Sequence, residues 1–189
     1  MSVNSTDRLP LSKYFATTVA LITSHAEGVG ENVMACEWTS NISYRPLRIL
    51  SVINKNSYTH ELISASREFG VNLCSDEQVG LSVFAGNAHG REVDKLSDPV
   101  FAGRIYQGKR IGARMLRGCL LNLECEVEKA LDLDTHTGFV GRAVAGRTGG
   151  GARPLFYHLG RYFTLGEQLD KPGDTTPEPA VAAARGSQS

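Results

Sequence analysis

The sequence predicts an all-β domain built as a closed or split barrel, and three observations carry this prediction. Short runs rich in apolar and β-branched residues recur along the chain, separated by glycine-rich or polar turns. Residues 121–127 alternate apolar and polar side chains with the two-residue period of a strand. Helical character is confined to two stretches, one following Thr59 and one over residues 76–85. Many short strands with few helices favour a barrel.

The first strands are predicted from β-branched runs and from the turns that follow them. Residues 17–23 form a strand that enters a turn with two glycines, and residues 32–38 are its expected hairpin partner. Residues 48–53 are almost continuously apolar, which is typical of a strand covered on both faces. We therefore expect this third strand at the centre of the sheet.

The helices and the later strands complete the predicted order. Thr59 is expected to cap a first helix, which ends at residues 67–68 before a strand over 69–74. The second helix, 76–85, is expected to present one apolar face formed by Val79, Val83 and Phe84. The strand over 121–127 should have one face in the core and one in water. Further strands are predicted at 135–145, 156–158 and 162–165.

Composition limits the function. The 189 residues suffice for one domain, and 20 basic residues balance 20 acidic ones, so no net field attracts nucleic acid. No stretch approaches the roughly 20 apolar residues of a membrane span, which predicts a soluble protein without membrane contact. The four cysteines are scattered and the histidines lack metal-site spacing, so we expect reduced thiols, a cytoplasmic protein and no metal.

Composition also sets the domain boundaries. Residues 1–10 are expected to be a flexible N-terminal arm, and residues 11–167 the folded domain. Residues 168–189 are rich in proline, alanine, glycine and serine, so they cannot bury enough apolar surface to order themselves. They are predicted to form a flexible tail.

Small polar clusters separate the apolar runs at 36–41, 56–59 and 89–95, and each has a purely structural interpretation when it is taken alone. Residues 36–41 are then interpreted as a turn. Ser57 and Thr59 at a helix start read either as ordinary caps or as donors to a phosphate, with Lys95 either solvated or adding charge. His136 on a strand reads alone as a structural histidine.

Taken in order, these clusters resemble the flavin reductase-like family of FMN-binding split barrels, most closely its flavoredoxin-type branch. The motifs of this family occur in order across residues 11–166. It is carried by Asn32-Val33-Met34, Trp38, Ser43, Pro46, Ser57, Thr59, Glu61-Leu62-Ile63, Glu68-Phe69-Gly70-Val71-Asn72 and Gly90-Arg91-Glu92-Val93-Asp94-Lys95. The family's Asp-Pro-Pro turn is replaced here by Tyr44-Arg45-Pro46-Leu47, and its phenylalanine after Asp-Lys by Leu96. The first departure bears on the rim of the pocket, and so on the nicotinamide or partner surface, more than on the flavin.

The resemblance implies a homodimeric split barrel with flavin sites at the subunit interface. The segment along the flavin ring would be Ala35, Cys36, Glu37, Trp38, Thr39, Ser40 and Asn41, with Trp38 either covering the ring or anchoring the core. Ser57, Thr59 and Lys95 would hold the phosphate. His136 would lie near the nicotinamide or the flavin face.

The same resemblance implies an oxidoreductase that reduces FMN or FAD with NADH or NADPH. Reduced flavin or electrons would pass to a partner such as a two-component monooxygenase. Two alternatives remain: an electron carrier that keeps its FMN bound, and a dimeric binding module that has lost flavin.

Overall fold

The computed structural model describes residues 11–149 and 151–171, within which strands predominate. The strands are β1 (Thr17–Thr18), β2 (Ala20–Ala26), β3 (Gly30–Cys36), β4 (Thr39–Tyr44), β5 (Leu47–Asn54), β6 (Glu68–Leu73), β7 (Ile105–Gln107), β8 (Arg114–Leu116), β9 (Leu121–Leu133), β10 (His136–Thr148), β11 (Phe156–His158) and β12 (Arg161–Phe163). The α-helices are α1 (Tyr58–Ser66) and α2 (Val79–Asn87). The predicted arm over 1–10, and the predicted tail from residue 172 onward, lie outside the described residues.

Seven strands form one antiparallel sheet in the order β3-β2-β6-β9-β10-β5-β4. The sheet curls until strands near its two ends meet, since the Cys36 Sγ at the end of β3 lies 3.7 Å from the Val52 carbonyl oxygen of β5. The predicted split barrel is thereby confirmed. One of the two cavities described below lies along this seam between β3 and β5.

The barrel interior is filled by apolar side chains from every part of the curled sheet. They are Ala20, Ile22, Cys36, Ile49, Ile53, Ile63, Phe69, Val71, Leu123, Cys125 and Phe139. Ile63 comes from α1, so this helix packs onto the barrel through its buried face. Gly141 makes room for the largest of these residues, because a Cβ there would lie 2.5 Å from the Phe69 ring.

A second apolar layer lies outside the barrel, between α2 and the small sheet β1-β11-β12. Its largest members include Phe101, Leu116 and Leu155. The predicted apolar face of α2 is wrong at Val83, which is exposed, whereas Leu81, Ser82 and Ala85 are buried. Apolar residues occur all round this helix, so helical periodicity did not single out the packed face.

Strand β9 corrects a second prediction in part, because two of the polar residues on its predicted solvent face are not in water. Asn122 and Glu124 are both buried. The Glu124 carboxylate accepts backbone N–H bonds from Lys109, Arg110 and Ile111 at 3.0, 2.6 and 3.2 Å. A loop thus covers the face that alternation alone assigned to solvent, and hydrogen bonds compensate the burial of the charge.

Strand β5 is not at the centre of the sheet; β9 is, and β5 lies next to the edge strand β4. Ile49 and Ile53 of β5 enter the core, while Leu50 and Val52 on the opposite face are half-buried. The apolar run therefore does not reflect a central position. No helix among the described residues has both the length and the apolar character needed to cross a membrane.

Candidate functional site

Two cavities lie on either side of the end of β3 and share Met34 and Ala35 in their walls. The first, the helix-side cavity, has a volume of about 310 Å³ and lies between β3, the start of α1, the end of α2 and residues 88–92. The second, the tryptophan-side cavity, has a volume of about 330 Å³ and lies along the seam of the barrel. One ligand can therefore occupy both by passing over the small side chain of Ala35.

The start of α1 forms one wall of the helix-side cavity. The N-cap is Ser57, whose Oγ accepts the N–H of His60 at 3.2 Å, so the prediction that Thr59 caps this helix is wrong. Tyr58 and Thr59 are the first two helical residues, and the helix supplies no carbonyl partners for their N–H groups. The helix end therefore presents free donors and a partial positive charge.

Thr59 is fully buried, yet it lines this cavity. Its Oγ1 accepts a hydrogen bond from the side-chain amide of Asn32 on β3, at 2.9 Å. The β3 strand thereby fixes the position of the hydroxyl. As predicted, Ser57 and Thr59 lie together beside the helix end.

Lys95 reaches the same cavity from the loop that follows α2, and it is buried. Its Nζ donates to the carbonyl oxygens of Val33 at 2.9 Å and Ala85 at 2.8 Å, which excludes the interpretation as a solvated lysine. Burial lowers the pKa of Lys95 to about 8. No carboxylate of the described chain forms an ion pair with it. A buried ammonium with one proton to spare is a suitable partner for an anion.

The loop over residues 88–94 closes the outer side of the helix-side cavity and is pinned to α1. Arg91 forms an ion pair with Glu61 at 2.5 Å, and its guanidinium lies 5.2 Å from the centre of the Tyr58 ring. The Tyr58 hydroxyl donates to the Val29 carbonyl at 2.9 Å. These contacts tie the loop, the helix start and the β2–β3 turn together.

The tryptophan-side cavity is bounded by two aromatic rings. Trp38 is 49 % exposed, so it does not anchor the core, and its ring centre lies 5.2 Å from that of His136. The His136 Nδ1 shares a hydrogen bond of 2.8 Å with the Thr135 hydroxyl. Val52 and Asn54 of β5 complete this wall. Trp38 and His136, far apart in sequence, are thus brought to one site.

The predicted ring segment divides into two parts in the structure. Ala35, Cys36, Glu37 and Trp38 line the tryptophan-side cavity. Thr39 instead turns into the sheet, where its hydroxyl lies 3.2 Å from that of Ser51. Ser40 and Asn41 are exposed on β4, outside both cavities. The division falls after Trp38, where the chain leaves the cavity and enters β4.

Cys36 contributes shape to the cavity rather than reactivity. All four cysteines are buried free thiols. Burial raises the pKa of Cys36, and hydrogen bonds involving Thr39 and the Trp38 backbone offset the shift only in part. The protonated thiol is a poor nucleophile.

Several residues that sequence reasoning did not identify also line the site. Lys13 and Tyr157 border the tryptophan-side cavity, and Asn32 borders the helix-side cavity. A third cavity of about 390 Å³ continues past Glu37 and Tyr157 towards α2. Burial raises the pKa of Glu37, with Lys13 opposing the shift. Asn32 belongs to the Asn-Val-Met motif of residues 32–34, and this motif was the sequence signal that could have identified it as a residue of the site.

Chemically, the joined cavities are polar and cationic at one end and aromatic at the other. The cationic end combines Lys95, the start of α1 and the hydroxyls of Ser57 and Thr59. The aromatic end contains Trp38 and His136. This arrangement suits a ligand with an anionic group attached to a planar ring.

Comparison with known proteins gives a family match over most of the chain. A family model described as "Flavin reductase like domain" matches residues 11–166. The chain is 29 % identical over 150 residues to the NADH-dependent flavin reductase StyB of Pseudomonas fluorescens, covering 78 % of this chain and 82 % of StyB. It is 27 % identical over 150 residues to the reductase component of the FADH(2)-dependent resorcinol hydroxylase of Rhizobium sp. strain MTP-10005, covering 78 % and 80 %.

A similar architecture occurs among solved structures. The flavoredoxin of Methanosarcina acetivorans superposes with a TM-score of 0.76 at 25 % identity. The alignment covers 93 % of this chain and 97 % of the flavoredoxin.

Proposed function

Because the chain belongs to the family of flavin reductase like domains, we propose that it is a flavin reductase that transfers a hydride from NADH or NADPH to FMN or FAD. The helix-side cavity holds the flavin phosphate, and the tryptophan-side cavity holds the isoalloxazine ring. The observation that carries this proposal is Lys95, a buried ammonium that borders a cavity and has no carboxylate partner among the described residues.

The residues of the helix-side cavity fit a phosphate. Lys95 has a third ammonium proton beyond the two given to Val33 and Ala85, and the first N–H groups of α1 lack helical partners. Thr59 adds a hydroxyl held in place by Asn32. Charge-assisted bonds of this kind are among the stronger interactions in a protein.

The residues of the tryptophan-side cavity fit a planar ring. The side chain of Ala35 is small enough to let a flat ligand approach the β3 backbone. Because β3 is an edge strand, the backbone groups on its outer side are available to the polar edge of the ligand. Trp38 and His136 flank the opening, where a nicotinamide would enter. Bound flavin would supply the hydride chemistry, and the chain itself orients the reactants and excludes water.

We propose further that the reduced flavin serves a separate monooxygenase. The similarity to StyB and to the resorcinol hydroxylase reductase component supports this partner class. The second candidate is an electron carrier that keeps its FMN, and the similarity to a flavoredoxin favours it. In a flavin-free binding module, the buried ammonium of Lys95 would border a cavity that binds no anion.

We propose a homodimer in which a second copy covers the apolar strip beside the tryptophan-side cavity. The strip consists of Trp38, Leu50, Val52, Leu131 and Leu133. Strand register places Val52 opposite Gly138 and Gly138 opposite Leu131, and residues paired in this way share a face of the sheet. Leu131 and Leu133 are 43 % and 45 % exposed, so this face has apolar surface to bury. A dimer of this kind also explains why β5 is apolar on both faces.

Steady-state oxidation of NADH and NADPH, with and without excess free FMN, tests the proposed activity. A reductase that releases its product oxidises the nicotinamide many times per protein when free flavin is in excess. In the absence of oxygen, a carrier undergoes about one turnover of bound flavin unless an acceptor protein is added. Oxidation no faster than that of flavin and nicotinamide alone contradicts both candidates.

A further inference from the structure

The side-chain oxygen of Asn32 is a buried hydrogen-bond acceptor that has no donor in the described chain. Asn32 is only 4 % exposed, and its amide nitrogen is used by Thr59. The residue borders the helix-side cavity. Nearly all buried polar groups in native proteins have a partner, so an unsatisfied one beside a cavity indicates a missing donor.

The loop above Asn32 protects this oxygen without satisfying it. A Cβ on Gly90 would lie 2.4 Å from the oxygen, so the loop can lie this close only because residue 90 has no side chain. The loop itself is fixed through Arg91, which pairs with Glu61. The loop therefore covers the oxygen in the free protein, and a hydroxyl of a ligand in the cavity reaches it once residue 90 moves slightly aside.

The hydrogen bond between Asn32 and Thr59 also sets which groups of the cavity donate. Since Asn32 donates to the Thr59 oxygen, the Thr59 proton is free to point elsewhere. Thr59, Lys95 and the start of α1 then all offer protons, as a phosphate requires. The Asn32 oxygen is the exception, because it needs a donor and a phosphate dianion has none to give. A hydroxyl group next to the phosphate meets this need.

We propose that Asn32 is a specificity-determining residue for the hydroxylated chain that links phosphate and ring. Its oxygen accepts a hydrogen bond from a hydroxyl of that chain, and its amide N–H holds Thr59 as a donor to the phosphate. The inference rests on the proposed function, since it takes the ligand to be a flavin. It adds recognition of the hydroxylated chain to recognition of the phosphate and of the ring.

Three flavins that differ only in the parts at issue test this role. FMN has the hydroxylated chain and the phosphate, riboflavin has the chain alone, and lumiflavin has neither. Asn32→Leu removes both polar functions at similar volume, whereas Asn32→Asp keeps an acceptor and adds a negative charge. Dissociation constants for each flavin are measured by fluorescence quenching, and folding is checked by thermal unfolding without ligand.

We expect Asn32→Leu to weaken riboflavin by about tenfold, the value of one ordinary hydrogen bond, while lumiflavin changes by less than about threefold. FMN should weaken by more than riboflavin, because Thr59 also loses the amide that holds it towards the phosphate. Asn32→Asp should keep riboflavin within about threefold but weaken FMN by about a hundredfold, because its carboxylate faces the phosphate. Thr59→Val is the contrast, since it should weaken FMN and leave riboflavin unchanged.

Each other outcome overturns the role of Asn32 in a distinguishable way. If the Leu variant binds riboflavin as the parent does, or if it loses as much affinity for lumiflavin as for riboflavin, Asn32 does not recognise the hydroxylated chain. If the Leu variant fails to fold, the Asp variant decides through its ratio of FMN to riboflavin affinity. If the parent protein binds none of the three flavins, the proposed function fails first and the inference fails with it.

Discussion

The indole ring of Trp38 and the imidazole ring of His136 lie 5.2 Å apart with their planes inclined by 50°. Trp38 follows β3, while His136 begins β10, so the curl of the sheet is what brings them together. Both border the tryptophan-side cavity, beside Val52. Two motifs that were separate in the sequence therefore form one edge of the proposed flavin site.

This placement predicts that His136 acts on hydride transfer rather than on flavin affinity. His136→Ala should leave the FMN dissociation constant within about threefold, because the phosphate contacts are at the other cavity. The rate of anaerobic flavin reduction by NAD(P)H should fall by about tenfold, the effect of one hydrogen bond to the nicotinamide. Stopped-flow absorbance of the bound flavin measures this rate.

Thr135→Ala serves as the matched control, since it removes only the hydroxyl that meets the His136 Nδ1. Its reduction rate should lie between those of the parent and of His136→Ala. If His136→Ala loses flavin, or reduces it as fast as the parent, the histidine has a structural role instead.

The second prediction concerns Lys95 and Thr59, which should discriminate FMN from riboflavin. Lys95→Met and Thr59→Val each remove a proposed phosphate contact, worth about 1.5–3 kcal/mol for a charge-assisted bond. FMN affinity should therefore fall by about tenfold to a hundredfold in each variant, while riboflavin affinity stays unchanged. Fluorescence titration of both ligands gives the ratio.

Lys109→Met is the control for removal of a positive charge, because Lys109 is exposed in the loop between β7 and β8 and lies outside both cavities. It should alter neither ligand. Equal losses of FMN and riboflavin in Lys95→Met would show that its bonds to Val33 and Ala85 matter for folding alone.

The third prediction is that FMN affinity falls as the pH rises through about 8. Burial lowers the pKa of Lys95 to about 8 in the free protein, so the side chain is charged below this pH and neutral above it. Binding the phosphate above this pH then requires uptake of a proton. Affinity should decrease by up to about tenfold per pH unit between pH 8 and 10. Riboflavin serves as the ligand without a phosphate and should show no such decrease.

The same pKa has the opposite effect on folding without ligand. Between about 8 and the unfolded value near 10.4, the unfolded chain binds more protons than the folded one, so the Lys95 contribution to stability increases with pH. Lys95→Met should remove this contribution. Urea unfolding of both proteins across this range measures it.

The sequence predicted the pairing of β2 with β3 and most strand positions, because alternation and turn residues are local signals. It could not predict what covers a given face. Glu124 follows the pattern of a solvent-facing residue, yet a loop brings three backbone N–H groups onto its carboxylate. Strand β5 has the composition of a central strand but lies next to the edge. In both cases the outcome depends on contacts with residues that are distant in the sequence.

In the site, too, local motifs identified individual residues, whereas contacts between distant segments could not be predicted. The motifs identified the start of α1, Lys95, Trp38 and His136 as candidates, and all of them border the two cavities. They did not show that Lys95 is buried against two carbonyl groups. They also did not show that the Asn32 oxygen lacks a donor, since this depends on the loop above it.

The fourth prediction is that the protein is a homodimer held by the apolar strip that includes Leu131 and Leu133. Replacing both by Arg should produce a monomer, because burying two charges without partners is costly. Light scattering after size-exclusion chromatography gives the mass. Flavin affinity should also fall if the second copy completes the site.

Arg substitution at Val83 and Leu165 is the matched control, because both are exposed apolar residues outside the strip. This variant should remain a dimer. A parent protein that is monomeric at all accessible concentrations contradicts the interface, and so does a Leu131 and Leu133 variant that remains dimeric.

An equilibrium titration with FMN tests the central claim most directly, namely that the joined cavities form a flavin site. Micromolar binding requires about 8 kcal/mol, which a buried ring and a paired phosphate can supply. We predict saturable quenching of flavin fluorescence, with one FMN per chain and a dissociation constant at or below about 1 μM. The absence of quenching at protein concentrations of about 100 μM, in folded protein, would contradict the claim.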